Sequence, residues 1–291
     1  MSEDDYGSWR VTARGAKSAC EACAQALETL IDADTTAYGL FEEVEGGAWR
    51  LDVYTQTAAD TAQVEALLRS APELGVETER LADADWLALA LSGLPPVYAG
   101  RFIVYGAHDA GRVPKNAVGL RIEAGQAFGT GHHGTTKGCL IAFHDLLKHW
   151  TPQAVLDLGA GTGALAMAAA KTTQAAVIAT DIDPIAVRII GENARLNGVE
   201  HAITPLRADG FRHPLLRGLS VDLVFANILA NPLIGLARDV AIAVRPGGRA
   251  ILSGLLFAHE RKVRAAYLNR GFTLEHRHRL DGWATLVMRK I

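Results

Sequence analysis

The sequence predicts an α/β protein: a doubly wound parallel sheet preceded by a smaller α+β unit. Three observations predict it. From residue 154 onward, short apolar runs of strand length alternate with helix-length segments, the pattern of βαβ units in a parallel sheet. The run Val155-Leu156-Asp157-Leu158 opens into Gly159-Ala160-Gly161-Thr162-Gly163 and then an alanine-rich helix over Leu165 to Lys171. Glycines there let the backbone turn sharply and let a ligand approach without a Cβ in the way. The next apolar run, Ala176 to Thr180, ends in Asp181, 22 residues after Gly159, where a carboxylate can accept hydrogen bonds from ribose hydroxyls. Gly159, Gly161, Gly163 and Asp181 therefore mark a site for a nucleoside-bearing cofactor.

Taken in order, the chain begins with a strand over Trp9 to Arg14 and a helix over Ala16 to Ile31. That helix carries Ala19, Cys23, Ala26, Leu27 and Leu30 on one face. Two strands, Thr36 to Glu43 and Ala48 to Thr55, flank the hairpin signal Gly46-Gly47. A helix over Thr61 to Ser70, stopped by Pro72, leads to a strand over Gly75 to Leu81. This β-α-β-β-α-β order is the ferredoxin-like arrangement and places a small domain at residues 1–82. Cys20 and Cys23 fall inside the first helix with no second pair to complete a metal site, so they read as core residues.

Residues 83–126 read as a linker: a connecting helix over Asp83 to Ser92 broken at Leu94-Pro95-Pro96, then strands over Arg101 to Tyr105 and Val118 to Glu123. The domain at 127–291 opens with a Gly/Thr/His loop, in which Thr135 and Thr136 are N-cap or first-turn residues of a helix over Gly138 to Trp150. His132 and His133 have no Cys or carboxylate nearby at ligand spacing, so no metal is expected. After the glycine loop come a helix over Pro184 to Asn197 and a strand over His201 to Leu206. Asp209 then follows at the carboxyl end of the sheet, where ligands bind. The strand Val221 to Ala226 ends in Asn227-Ile228-Leu229-Ala230. A helix over Pro232 to Val244 stops at Arg245-Pro246-Gly247-Gly248, before a strand over Arg249 to Leu252. A helix over His259 to Asn269 and strands Gly271 to His278 and Trp283 to Arg289 close the chain as an antiparallel edge.

Composition bounds the class. A 49% hydrophobic content over 291 residues is ample for two packed cores. No apolar run approaches the ~18 residues that span a bilayer. The acidic start Met1-Ser2-Glu3-Asp4-Asp5 argues against a secretory or transit signal, and three cysteines are too few for a disulfide framework; a cytoplasmic protein is expected. The net charge of −3 conceals an asymmetry: residues 1–99 hold 18 acidic and 6 basic side chains, residues 100–291 hold 14 and 23. An acidic N-terminal third repels nucleic acid and favours a basic partner.

Two cofactors fit the loop. Gly159-x-Gly161-x-x-Ala164 satisfies the dinucleotide fingerprint, so a nicotinamide oxidoreductase stands as one reading. Asn227 at a strand end favours the other. In amine methyltransferases such a side-chain oxygen and a following carbonyl orient the target nitrogen, a positioning role. Five segments together resemble the PrmA family: Phe128-Gly129-Thr130-Gly131-x-His133-x-Thr135-Thr136, Leu156-Asp157-x-Gly159-x-Gly161-x-Gly163, Asp181-Ile182-Asp183-Pro184, Glu192-Asn193-Ala194-x-x-Asn197-Gly198-Val199 and Ala226-Asn227-Ile228-Leu229-Ala230-x-Pro232-Leu233. The resemblance is strong over residues 83–291 and architectural before them; Gly134 stands where the family usually has proline. It implies a class I methyltransferase sheet (Rossmann-like) using S-adenosyl-L-methionine, with Thr136, Gly159, Asp181 and Asn227 contacting the cofactor and Asn227 as the catalytic residue. It further implies a protein substrate, ribosomal protein L11, docked by the N-terminal domain and methylated on lysine ε-amines and the N-terminal α-amine. A monomer needing neither nucleic acid nor membrane is expected. Related enzymes that methylate another protein lysine, such as one of an electron-transfer flavoprotein subunit, share these motifs. His133 is a candidate general base by resemblance, with a loop role as its alternative.

Overall fold

The computed structural model describes residues 6–30, 36–42, 47–81, 96–122, 134–280 and 282–291. The chain divides into two compact units, Met1–Leu89 and Ala90–Ile291.

In the first unit the elements are β1 (Tyr6–Gly15), α1 (Lys17–Leu30), β2 (Thr36–Glu42), β3 (Trp49–Thr57), α2 (Ala58–Arg69) and β4 (Gly75–Leu81). The antiparallel sheet has order β2-β3-β1-β4, the ferredoxin-like arrangement read from the sequence. Alternation assigns its faces: Val11, Ala13, Leu51 and Val53 pack with Cys20, Cys23 and Leu27 of α1 and Val64 and Leu68 of α2. On the other face Thr12 donates to Asp52 at 2.8 Å, and Arg50 pairs with Asp52 at 3.0 Å. Cys20 and Cys23 are buried free thiols, and burial pushes both above the usual thiol range, so they are inert core residues.

The second unit begins, among described residues, with a three-stranded sheet: β5 (Val97–Ala99), β6 (Phe102–Tyr105) and β7 (Val118–Arg121). The sequence reads this stretch as linker. Phe102, Val104, Leu120 and Ile122 instead enter the core of the unit, and Asn197 pins β7 by pairing its amide with both the N–H and the carbonyl of Arg121, at 2.9 and 2.7 Å. The predicted helix at 83–92 and the loop at 127–133, with Phe128 and His133, lie outside the described residues.

The remaining elements are α3 (Gly134–Leu146), β8 (Ala154–Leu158), α4 (Ala164–Thr172), β9 (Ala176–Asp181), α5 (Pro184–Leu196), β10 (Ile203–Arg207), β11 (Val221–Asn227), α6 (Ala230–Ala243), β12 (Val244–Leu256), α7 (Phe257–Leu268), β13 (Phe272–Leu280) and β14 (Trp283–Lys290). They form a seven-stranded sheet of order β10-β9-β8-β11-β12-β14-β13, parallel except for β14, which runs antiparallel to both its neighbours. Strand residues alternate between two cores. Val155, Val177, Phe225 and Ile251 pack with Leu140 and Phe143 of α3, Met167 of α4 and Ile190 of α5. Leu156, Val224 and Leu252 pack with Leu233 and Val240 of α6 and Val263 and Tyr267 of α7. Phe143 sits edge-on to Phe225 at 5.2 Å and stacks on Phe102 at 5.9 Å. Each such fully buried aromatic contributes about 1.5–3 kcal/mol of transfer free energy.

Two elements differ most from the sequence reading in their boundaries. Helix α3 starts at Gly134 and ends at Leu146, and Trp150 beyond it lies under the Arg249 guanidinium at 4.4 Å. Strand β12 starts at Val244 rather than Arg249: Val244 pairs with Val221, Arg245 to Gly248 bulge out of register with Gly247 at φ +79°, and pairing resumes at Arg249 with Leu223.

Candidate active site

The strand order reverses at β8: β9 lies on one side, and the chain returns to place β11 on the other. Ligands of open α/β sheets bind outside the carboxyl ends of strands at such a switch point. The glycine loop occupies that position. Gly159, Gly161 and Gly163 take φ of +69°, +55° and +80°, a region closed to most residues. A Cβ on Gly159 would lie 2.5 Å from Ile228 Cγ2, so the loop runs against the segment that follows β11.

Asp181 closes the other side of the loop. Its Oδ2 accepts from Gly161 N–H at 2.9 Å and its Oδ1 from Asp183 N–H at 3.1 Å. Each oxygen keeps a second lone pair, so the carboxylate can brace the loop and still accept from a diol. Ala160 N–H donates to the Thr180 carbonyl at 2.8 Å, tying the loop to β9. Asp183 then caps α5 by accepting from Ile185 N–H at 2.8 Å, with Pro184 in the first helical position.

On the far side of β8, Asn227 is the last residue of β11. Its Nδ2 donates to Thr136 Oγ1 at 3.2 Å, joining residues 91 apart. Thr136 is buried in the first turn of α3, so its position is fixed by packing. With Nδ2 engaged, Oδ1 is the amide atom left to accept from an incoming N–H donor. The structure thus brings together Gly159, Gly161, Gly163 and Asp181 as one cluster and Thr136 with Asn227 as a second, linked through Ile228. Asp209 adjoins the first cluster through its chain neighbour: Ala208 N–H donates to the Asp181 carbonyl at 2.9 Å, and the Asp209 side chain beyond it is exposed and paired with Arg212 at 2.9 Å.

Four functional positions carry no assigned role in the sequence reading. Asp157 is 1% exposed and accepts from Ala166 N–H, in the first turn of α4, at 2.9 Å. Burial raises its carboxyl to about 7, the Ala166 bond opposes that, and the Asp181 charge adds to it. Asn193 donates to the Thr162 carbonyl at 3.0 Å and so holds the loop from α5. Asn197 holds β7, as described above. Gly254 takes φ +82°, and a Cβ there would lie 2.7 Å from the Ile228 carbonyl carbon. The signal for Gly254 was a glycine interrupting the apolar run of β12.

A nucleoside-bearing cofactor fits this cradle. The loop backbone is open where a Cβ would fill it, and an acceptor pair stands at the β9 end. Comparison with known proteins decides between the two readings of the glycine loop. The sequence model of the family described as "Ribosomal protein L11 methyltransferase (PrmA)" matches residues 8–291, so the likeness extends through the N-terminal unit as well. A protein of Caulobacter sp. described as ribosomal protein L11 methyltransferase is 50% identical over 288 residues, spanning 98% of this chain and 99% of that one. A second, from Bradyrhizobium diazoefficiens, is 43% identical over 95% of each chain. The crystal structure of a ribosomal protein L11 methylase from Lactobacillus delbrueckii subsp. bulgaricus matches with a TM-score of 0.59 at 27% identity, covering 68% of this chain and 100% of that one. The chain belongs to the ribosomal protein L11 methyltransferase (PrmA) family of S-adenosylmethionine-dependent protein methyltransferases.

Proposed function

We propose that this chain, acting as a cytoplasmic monomer and without nucleic acid, methylates the lysine ε-amines and N-terminal α-amine of ribosomal protein L11. The observation that supports this reading best is the Thr136–Asn227 bond, which engages Nδ2 and leaves Oδ1 as the amide atom to accept from a substrate amine. Residues 159–163, Asp181 and Asp209 would hold S-adenosylmethionine, with Thr136 and Asn227 bordering it. The cofactor supplies a methyl group already activated on a sulfonium. The chain's own residues then align the target nitrogen and exclude water from it. Asn227 Oδ1 accepts from the neutral amine and points its lone pair toward the methyl group. A protonated lysine has no lone pair, so the proton leaves before transfer.

The division of labour follows the two units. Residues 1–82 would receive the substrate, their excess of acidic over basic side chains suiting a lysine-rich protein, and the stretch before β5 would connect them to the unit that carries catalysis. Among the described residues no helix is long and apolar enough to cross a membrane. The test is mass spectrometry of ribosomal proteins from cells with and without this chain, joined to Asn227→Ala in vitro. A positioning role predicts turnover reduced far more than S-adenosylhomocysteine affinity. Wild-type turnover in that variant would remove Asn227 from the site.

A further inference from the structure

The carboxyl ends of β11 and β12 are built against the usual preferences of helix starts. Helices α6 and α7 begin there, and the capping position of each is a leucine: Leu229 for α6 and Leu256 for α7. Neither makes a side-chain capping bond. Two other helices are capped by polar side chains, Thr57 on α2 and Asp183 on α5, each accepting a backbone N–H, and α4 by Gly163 without a side-chain bond. Serine, threonine, aspartate and asparagine stabilise such positions, and leucine does not.

The two leucines are also exposed. Leu229 is 70% and Leu256 36% accessible, and Phe257, which opens α7, is 40% accessible. Asn227 is in register with Ser253 and the Ile228 backbone lies against Gly254, so Leu229 lies two residues, and Leu256 and Phe257 three and four residues, beyond one paired position of the sheet. Phe257 is fixed from behind. The Arg279 guanidinium lies 4.9 Å from its ring centroid, and buried Glu260 holds Arg279 by two bonds of 3.1 and 2.8 Å. Three apolar side chains thus follow the strand ends closely, Leu229 two residues after Asn227 and Leu256 and Phe257 two and three after Gly254, while the glycine loop runs against Ile228 from the β8 side.

We propose that Leu229, Leu256 and Phe257 form an apolar collar that receives the methylene stem of the target lysine and delivers its amine to Asn227. This rests on the reading of the chain as a protein-lysine methyltransferase. A lysine is a four-carbon apolar stem with one polar end. A collar of leucine and phenylalanine takes the stem, and the amide Oδ1 beyond it takes the nitrogen. Covering the collar with substrate also removes water from the amine, which disfavours its charged form. Leucine at two capping positions is then explained as specificity obtained at some expense of helix stability.

The capping argument supplies a test in which structure and function move in opposite directions. Leu229→Ser installs a favourable cap and removes a collar wall; Leu229→Met keeps the wall. Phe257→Ser and Phe257→Leu form a second pair. Each full-length variant is assayed with purified ribosomal protein L11 for kcat and KM, with S-adenosylhomocysteine affinity by calorimetry and with melting temperature. Leu229→Ser is expected to melt at or above the wild-type temperature and to bind S-adenosylhomocysteine within about twofold of wild type. Its kcat/KM should fall at least about tenfold, with Leu229→Met and Phe257→Leu near wild type. Wild-type kcat/KM in both serine variants overturns the collar, as does a loss matched by an equal loss of cofactor affinity. A wild-type chain that leaves the ribosomal protein unmethylated overturns the functional reading and the collar with it. An active wild type with unaffected serine variants overturns the collar alone.

Discussion

Replacing Asp157 by asparagine should remove a pH dependence of stability that the wild-type fold carries. The carboxyl group is 1% exposed, and burial raises it from 3.8 to about 7 against the opposing effect of the Ala166 N–H and with some help from the Asp181 charge. In the unfolded chain the same group ionises near its ordinary value. Between about pH 4 and pH 7 the folded state therefore holds a proton that the unfolded state has released, and folding stability declines as pH rises through that window. At about 1.4 kcal/mol per unit, a shift of roughly three units amounts to at most ~4 kcal/mol. Asparagine keeps an oxygen to accept from Ala166 and cannot ionise. His144 and His278, both lowered by burial, act in the opposite sense but are common to both proteins. The assay is urea unfolding of the cofactor-free protein at about pH 5, 6, 7 and 8, read as the difference between variant and wild type. The variant should gain on the wild type by a few kcal/mol across that range. A difference that stays constant with pH would refute the assignment of a proton to Asp157.

Other outcomes follow from the same geometry. Asp181→Ala removes the brace on Gly161 and a ribose acceptor, so calorimetry should show S-adenosylhomocysteine binding weaker by about 1–3 kcal/mol; NADH binding more tightly than S-adenosylhomocysteine to the wild type would contradict the cofactor. Gly254→Ala faces about 1–2 kcal/mol of left-handed strain and a Cβ 2.7 Å from the Ile228 carbonyl carbon, so turnover should fall sharply while thermal unfolding remains a single transition. A fragment of residues 83–291 keeps both cores of the seven-stranded sheet and should bind S-adenosylmethionine. It should fail on intact ribosomal protein L11, and the full chain's kcat/KM should decline with added salt, since charge attraction is screened. Equal efficiency of fragment and full chain would make the acidity of the N-terminal third a plain solvated surface.

Much of the fold was legible because it rests on local periodicity. Glycine after Leu158, proline at 184 and alternating apolar runs fix where strands stop and helices start, and the seven strands after residue 153 all appear where those signals stand. Legibility ended where tertiary contacts decide. Val97–Ala99 is too short to show a period, and it is a strand because β6 pairs with it. The stretch over 97–122 reads as linker, since nothing local announces that Asn197 will pin Arg121 from 76 residues away. Arg245-Pro246-Gly247 carries breaker residues, and it falls inside β12 only because β11 pairs with Val244 before it and Arg249 after it.

The site divides in the same manner, and Ile228 shows why. Glycine spacing and the carboxylate after the next strand are sequential facts, so the grouping of Gly159, Gly161, Gly163 and Asp181 could be read directly. The second cluster depends on distances that no spacing encodes. Gly159 comes before Ile228 by 69 residues and Gly254 after it by 26, yet a Cβ on either would strike it. The Gly159 Cβ would meet its side chain and the Gly254 Cβ its backbone, so Ile228 is gripped from both sides. Asn227, the adjacent residue, is held by Thr136 from a third direction. One residue's placement thus sets the separation between the glycine loop and the amide that, in the function proposed above, meets the amine. Methyl transfer tolerates little error in that separation, because reacting atoms must approach within about 3–3.5 Å and in line. In the proposed mechanism the two glycines are therefore part of the alignment as much as the asparagine beside Ile228, although neither has a side chain to contribute.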